Sequence, residues 1–276
     1  MIQIAGRTTD AAAIASQQQW SAAQREAIRK MADSGEVFAY PDTTALQFEL
    51  TLRHYIVEAA KALQASGVSF ASYERSRCNE QYWQRTAAGG FRIRPEVTPA
   101  EAIRDIFRNG RLYAFECATA VVIVYYRAVL AAITLADFNR LFAGILLYDW
   151  EYDRDLGLTN RTGTVMLPGD VVYFKNPDVN PNTPEWQGEN AVVLGGGRFY
   201  GHGIGITSGE QIIRVLNRMR KPGASQSAYL TDSVVRPNFA YLQRFSRGRL
   251  PLDAVAERLA GADRLTAWIG GRYYEA

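Results

Sequence analysis

The sequence is short of histidine and cysteine: its 276 residues include two of each, His54 and His202, Cys78 and Cys117. Two cysteines make no disulfide framework, and their use fits a chain folded in a reducing compartment. Two histidines leave most zinc sites, and the usual Ser-His or Cys-His arrangements, with few candidates. A bilayer-length apolar run is also missing. The stretch Ala118 to Ile133 is apolar but carries Arg127 and is too short to span, so it reads as a core helix and no membrane partner is expected. The opening residues, MIQIAGRTTDAAA, lack a basic flank followed by an apolar signal core, so export by that route is not expected. A formal net charge of +3, with no basic arm or arginine stripe, gives no reason to expect nucleic acid.

What is there suits a soluble globular chain. Hydrophobic residues make up 47% and charged residues 21%, enough apolar material for one large domain or two small ones. The first half reads as helical. A short strand over Met1–Ile4 leads to a helix capped by Asp10 and running to about Met31. A second helix, capped by Thr43 or Thr44, carries Leu46, Leu50, Tyr55 and Ala59 and stops near Ser66-Gly67. His54 falls inside it as a packing or surface residue. Val68–Tyr73, Gln81–Trp83 and Phe91–Arg94 read as strands, with Cys78 in a polar connection between them. Thr98-Pro99-Ala100-Glu101 is a capping box with proline at the first helical position, and Gly110 ends that helix.

From Ile145 onward the pattern is strand-like. Ile145–Trp150, Gly163–Met166 and Asp170–Phe174 read as strands, Asn190–Leu194 and Arg198–Gly205 as a hairpin about Gly195 to Gly197, and Ser208–Leu216 as a helix. Helices followed by an antiparallel sheet predict an α+β fold. Ser246–Arg249 reads as a linker, followed by an amphipathic helix over Leu252–Ala260 and a tail without evident chemistry.

Tyr113 to Leu130, YAFECATAVVIVYYRAVL, puts Cys117 directly after Glu116 and at the head of the buried helix. Unpaired N–H groups and the helix dipole at that position favour a thiolate. A lone cysteine in an apolar helix is also an ordinary small core residue, so the thiol alone decides nothing. The glycines from Gly195 to Gly205 give no G-x-G-x-x-G and no G-K-[ST] ending, which excludes a nucleotide loop. Asp149, Glu151, Asp153 and Asp155 alternate like a calcium loop, but the sixth and twelfth positions are Arg154 and Asn160 rather than glycine and glutamate. They read as a solvated strand end, and no metal or other cofactor is expected. Two residues could serve Cys117 as a base. His202 is the only histidine on the sheet side, and Glu189 stands at the start of a strand, where burial would raise its pKa. The pattern alone leaves both open.

Six ordered motifs then carry a resemblance. YAFECATAVVIVYY, LLYDWEY, GDVVYFKNP, WQGENAVVLG, YGHGIGI and KPGASQSAYL closely resemble the bacterial spore-coat transglutaminases of Bacillus and relatives. The likeness includes FELTLRHYIVEAAKAL and PAEAIRDIFRNGRLYAFEC and runs to about Phe245. It implies a transglutaminase domain over residues 1–245, with 246–276 an extension of unknown role. It also implies a papain-like or NlpC-type core in which a central cysteine-bearing helix packs on an antiparallel sheet among surrounding helices. By resemblance, Cys117 is the nucleophile, Glu189 the principal carboxylate and Glu116 a partial substitute. Trp150, Trp186, Tyr173 and Phe70 are implied as walls of a substrate chamber, with His202 in a supporting place beside it. The implied reaction is calcium-independent formation of ε-(γ-glutamyl)lysine cross-links between spore-coat proteins through a cysteine thioester. The implied location is the spore coat, after synthesis in the mother-cell cytoplasm. Two other readings stay in view. An NlpC-type cysteine peptidase or amidase would need His202 as its base, and a non-catalytic coat component would need neither carboxylate.

Overall fold

The computed structural model describes residues 1–16 and 20–246, and the backbone of two short strands, Thr266–Ile269 and Arg272–Glu275, which pair antiparallel with each other. The helix expected over Leu252–Ala260 and most of the expected linker lie outside the described residues.

The architecture is α+β. Its centre is the helix Cys117–Ala132, buried along all of its length. A helix apolar on every side needs cover on every side. The long helix Thr43–Ala65 supplies one wall, and Val171, Val192, Leu194 and Tyr200 of the main sheet supply another within the same core. Pro99–Arg108, which starts with the expected capping box, packs on it as well. Among the described residues, no helix is long and apolar enough to cross a membrane.

The main sheet has six antiparallel strands. Gly188–Gly195 lies near its middle, between Val171–Lys175 and Arg198–Gly201. Gly205–Ser208 forms the edge beyond Arg198–Gly201. On the other side Tyr229–Arg236 pairs with Val171–Lys175 and then with the edge strand Thr159–Thr162. The sequence reading misses Tyr229–Arg236, whose Thr231-Asp232-Ser233 interrupts any apolar alternation. It also puts a strand at Gly163–Met166 where the edge strand is Thr159–Thr162, all four residues of which are exposed.

The first expected helix is two helices. Asp10 caps Ala11–Ala15, and Ser21 with Gln24 forms a reciprocal capping box that starts Ala22–Asp33. Asp42, rather than Thr43 or Thr44, caps the long helix. Val68–Tyr73 shortens to Ser69–Phe70, which pairs in parallel with Ala114–Phe115 just ahead of the cysteine.

A buried ionic cluster ties the long helix to the sheet. Arg53 bonds Glu49 at 2.9 Å and Asp170 at 2.7 Å, and Arg236 bonds Asp170 at 2.8 Å. Asp170 also accepts the Leu167 N–H at 2.7 Å. The Tyr125 hydroxyl donates to the Val235 carbonyl at 2.9 Å and fixes the cysteine helix to the strand Tyr229–Arg236. These contacts set where the head of the cysteine helix meets the sheet.

Candidate active site

Cys117 is the first residue of its helix and Glu116 its N-cap. The Glu116 side chain makes no capping bond, so its carboxylate is free to face elsewhere. It faces a cavity of about 1450 Å³ that Cys117 also lines. Trp150, Tyr173, Trp186 and Phe70 stand in the same wall, so the structure brings all four expected chamber aromatics around the thiol. The Phe70 and Trp186 rings lie 5.8 Å apart, centre to centre.

Glu189 and His202 do not line this cavity. Glu189 is 2% exposed, and one of its oxygens, Oε1, has no hydrogen-bond partner. Burial first, then the nearby Glu116 charge, hold its carboxyl well above the usual range, against a hydrogen bond from the His202 backbone N–H. Cys117 is raised as well, by burial and then by Glu189, while hydrogen bonds from Asn190 pull the other way. The thiolate expected from the helix position is therefore not the resting form: desolvation outweighs the helix terminus. Two acids raised side by side share their protons, so the first proton lost leaves an anion distributed over the pair.

Glu116 differs. Burial and the negative charges of Asp149, Glu185 and Glu74 raise it to about 7, and all four residues line the cavity. Asp149 was expected to be a solvated strand end, and it is exposed just past the strand Leu146–Leu147. What the expectation omitted is that it sits in a tight Tyr148–Glu151 turn with φ of +49°, and the hydroxyl of Tyr73 bonds it. Two others of that acidic run are structural: Asp153 caps the turn Arg154–Leu156 and Asp155 accepts the Tyr241 hydroxyl.

His202 is fixed and neutral. Its Nε2 lies 3.2 Å from the Ser69 carbonyl and 3.1 Å from that of Phe115, so Nε2 carries the hydrogen and donates. Nδ1 lies 3.0 Å from the Tyr200 hydroxyl and accepts from it. Burial lowers the ring to about 4. His202, implied by resemblance in a supporting place beside the chamber, does not line the cavity and ties the sheet to the paired Ser69–Phe70 and Ala114–Phe115 strands.

Asn190 is the contact that sequence reading misses. Its Nδ2 donates to Cys117 Sγ at 3.5 Å. The signal was its place directly after Glu189, since register against Tyr173 carries it to the thiol. Gly201 was missed too. A Cβ there would lie 3.0 Å from Glu189 Cγ and 3.1 Å from Oε1, so the absent side chain makes room for the carboxylate.

Comparison with known proteins shows the family. The family profile described as protein-glutamine gamma-glutamyltransferase matches residues 1–246. The protein-glutamine gamma-glutamyltransferases of Bacillus cereus (strain G9842) and Bacillus mycoides (strain KBAB4) are 43% and 44% identical over 251 residues, covering 91% of each chain. A solved transglutaminase from Geobacillus stearothermophilus, described as without C-terminal extension, is similar at 55% identity with a TM-score of 0.73. That alignment covers 76% of this chain and all of the other.

Proposed function

This chain belongs to the protein-glutamine gamma-glutamyltransferase family, and on that premise we propose that it cross-links proteins through a thioester on Cys117, with Glu189 and Glu116 as its proton carriers. The enzyme is an acyltransferase. The observation that carries the residue roles is the thiol's position between a buried carboxyl and a cavity-facing one of different pKa.

In the first half-reaction the Cys117 proton moves onto Glu189, and sulfur attacks the γ-carboxamide carbon of a protein glutamine. The C–N bond breaks and ammonia leaves with a proton supplied from the cavity, where Glu116 is the available acid. In the second, a lysine ε-amine gives its proton to the Glu116 carboxylate and attacks the thioester carbon. The C–S bond breaks, an isopeptide forms and the thiol is restored. Lysine is mostly protonated near neutral pH, so a base poised at about 7 suits the task. Glu74, Asp149 and Glu185 attract the incoming ammonium. The aromatic walls keep water from the thioester, which it would hydrolyse.

The core is of the papain-like or NlpC-type. A cysteine heading a helix that packs on an antiparallel sheet, with its partner on a strand, supports that reading. Residues 1–245 form the catalytic unit and 246–276 an extension, a division supported by the extent of the family match. Resemblance to Bacillus enzymes supports work on spore-coat proteins, in the coat, after synthesis in the mother-cell cytoplasm. Immunolabelling of sporulating cells tests that placement.

The hydrolase reading needs His202 as the base, and both of its ring nitrogens are already engaged. The test is incorporation of a labelled primary amine into casein, with a calcium chelator present, by wild type, Cys117→Ala and Glu189→Gln. Incorporation by wild type, none by Cys117→Ala and a deep loss in Glu189→Gln are expected. No incorporation by wild type, or full incorporation by Cys117→Ala, would sink the proposal.

A further inference from the structure

Of the 31 lysine and arginine residues, four are lysine: Lys30, Lys61, Lys175 and Lys221. Lysine alone among side chains carries the primary amine that this reaction consumes; arginine keeps its charge and is no acceptor. All four lie within the described residues. Three are engaged. Lys30 lies 3.2 Å from Glu26 and donates to the Met166 carbonyl at 3.3 Å. Lys61 lies 2.7 Å from Glu58, and Lys221 3.1 Å from Asp178. The N-terminal ammonium donates to the carbonyls of Met31 and Glu36 at 2.6 and 2.7 Å. Each of these amines is held by a partner and must leave it to reach a thioester. Among the described residues, Lys175 is exposed and its amine has neither an ion pair nor a hydrogen bond.

Its place adds to this. Lys175 ends the strand whose Val171, Val172 and Tyr173 line the reaction cavity, and its backbone pairs with Gly188 of the cavity wall. The next residue, Asn176, holds the Trp186–Gln187 segment of that wall through the Trp186 and Gln187 carbonyls. Strand alternation puts Lys175 on the same face as Tyr173, which lines the cavity. The one lysine without a partner among the described residues therefore stands at the edge of the wall that a bound glutamine donor faces.

We propose that Lys175 is the enzyme's own acyl acceptor, through which it joins itself covalently to its glutamine donor. This rests on the transferase reading above. The neutral amine of Lys175 forms a C–N bond to the thioester carbonyl carbon, the C–S bond breaks, and the amine proton passes to a carboxylate or water as the Cys117 thiol is regenerated. The net change consumes one glutamine side chain and one lysine and releases one ammonia. The reaction competes with hydrolysis whenever outside amines are scarce, and it would anchor the enzyme in the material it cross-links.

The test incubates the enzyme with a biotinylated, N-terminally blocked glutamine peptide that lacks lysine, with no amine added, followed by peptide mapping. The expected product is an adduct at Lys175, of peptide mass less one ammonia, at least tenfold more abundant than at any other amine. It should be absent from Cys117→Ala, lost in Lys175→Arg and retained in Lys61→Arg, while Lys175→Arg still incorporates labelled amine into casein at the wild-type rate. No adduct at Lys175, or equal labelling of Lys30, Lys61 and Lys221, by a preparation active on casein overturns the inference. Failure on casein as well would instead bring down the transferase reading.

Discussion

Glu116 and Glu189 approach one thiol from two environments: Glu116 lines the open cavity, whereas Glu189 is 2% exposed and absent from its wall. That difference separates their titrations. A base at about 7 gives amine incorporation a rising limb centred near pH 7, because only the carboxylate can take the lysine proton. Glu116→Gln removes that limb and lowers kcat about tenfold to a hundredfold, as measured in pH–rate profiles. Stability moves in the same variant. A carboxyl raised from 4.5 to about 7 gives the fold stability that is present below 4.5 and lost as pH rises through 7. Thermal melts should therefore show Glu116→Gln gaining on wild type toward alkaline pH.

Gly201 tests whether Glu189 works by position. The added methyl of Gly201→Ala meets the Glu189 side chain at 3.0 to 3.2 Å. Overpacking of this kind costs about 1–3 kcal/mol. A displaced carboxylate should lower kcat by up to about 100-fold with KM little changed, since no cavity residue is altered. Steady-state kinetics on a glutamine donor measure both parameters. An unchanged kcat would mean that Glu189 tolerates displacement.

His202 is a positioning residue, and replacing it should leave the shape of the pH–rate profile intact. His202→Gln keeps a donor toward the Ser69 and Phe115 carbonyls, and His202→Phe keeps none. Activity is expected to fall further in His202→Phe than in His202→Gln. The wild-type ring, lowered from 6.5 to about 4, contributes stability that is present above 6.5 and lost as pH falls through 4. Melting curves between pH 4 and 7 should show less acid sensitivity in both variants.

Asp170 holds Arg53, Arg236 and the Leu167 N–H in a buried place. Asp170→Ala leaves two buried guanidinium groups without their shared partner, a loss on the order of 3–5 kcal/mol. Calorimetry should record a Tm lower by about 10 °C, at roughly 2–4 °C per kcal/mol for a chain of this size.

Much of the fold was legible because local rules agreed with the tertiary structure. The Thr98–Glu101 capping box, the buried cysteine helix and the Gly195–Gly197 hairpin each follow from adjacent residues. What the sequence did not yield depends on distant pairing. Tyr229–Arg236 is a strand because two neighbours need it, not because its own residues alternate. In the same way, Asp149 is solvated as its sequence suggests, but only the Tyr148–Glu151 turn brings its charge to bear on Glu116. His202 attracted attention as a rare residue. Its unsuitability as a base comes from the neighbouring Tyr200 hydroxyl and from two carbonyls supplied by segments far away in the sequence.

The most direct measurement follows both products at once: ammonia released and labelled amine incorporated, from a single glutamine donor, with intact-protein mass spectrometry of the enzyme. Wild type should release one ammonia per amine incorporated. Glu116→Gln should slow ammonia release and amine incorporation alike, since Glu116 serves both half-reactions, and Cys117→Ala should yield neither product. Ammonia release without amine incorporation by wild type, or incorporation by Cys117→Ala, would contradict acyl transfer through this thiol.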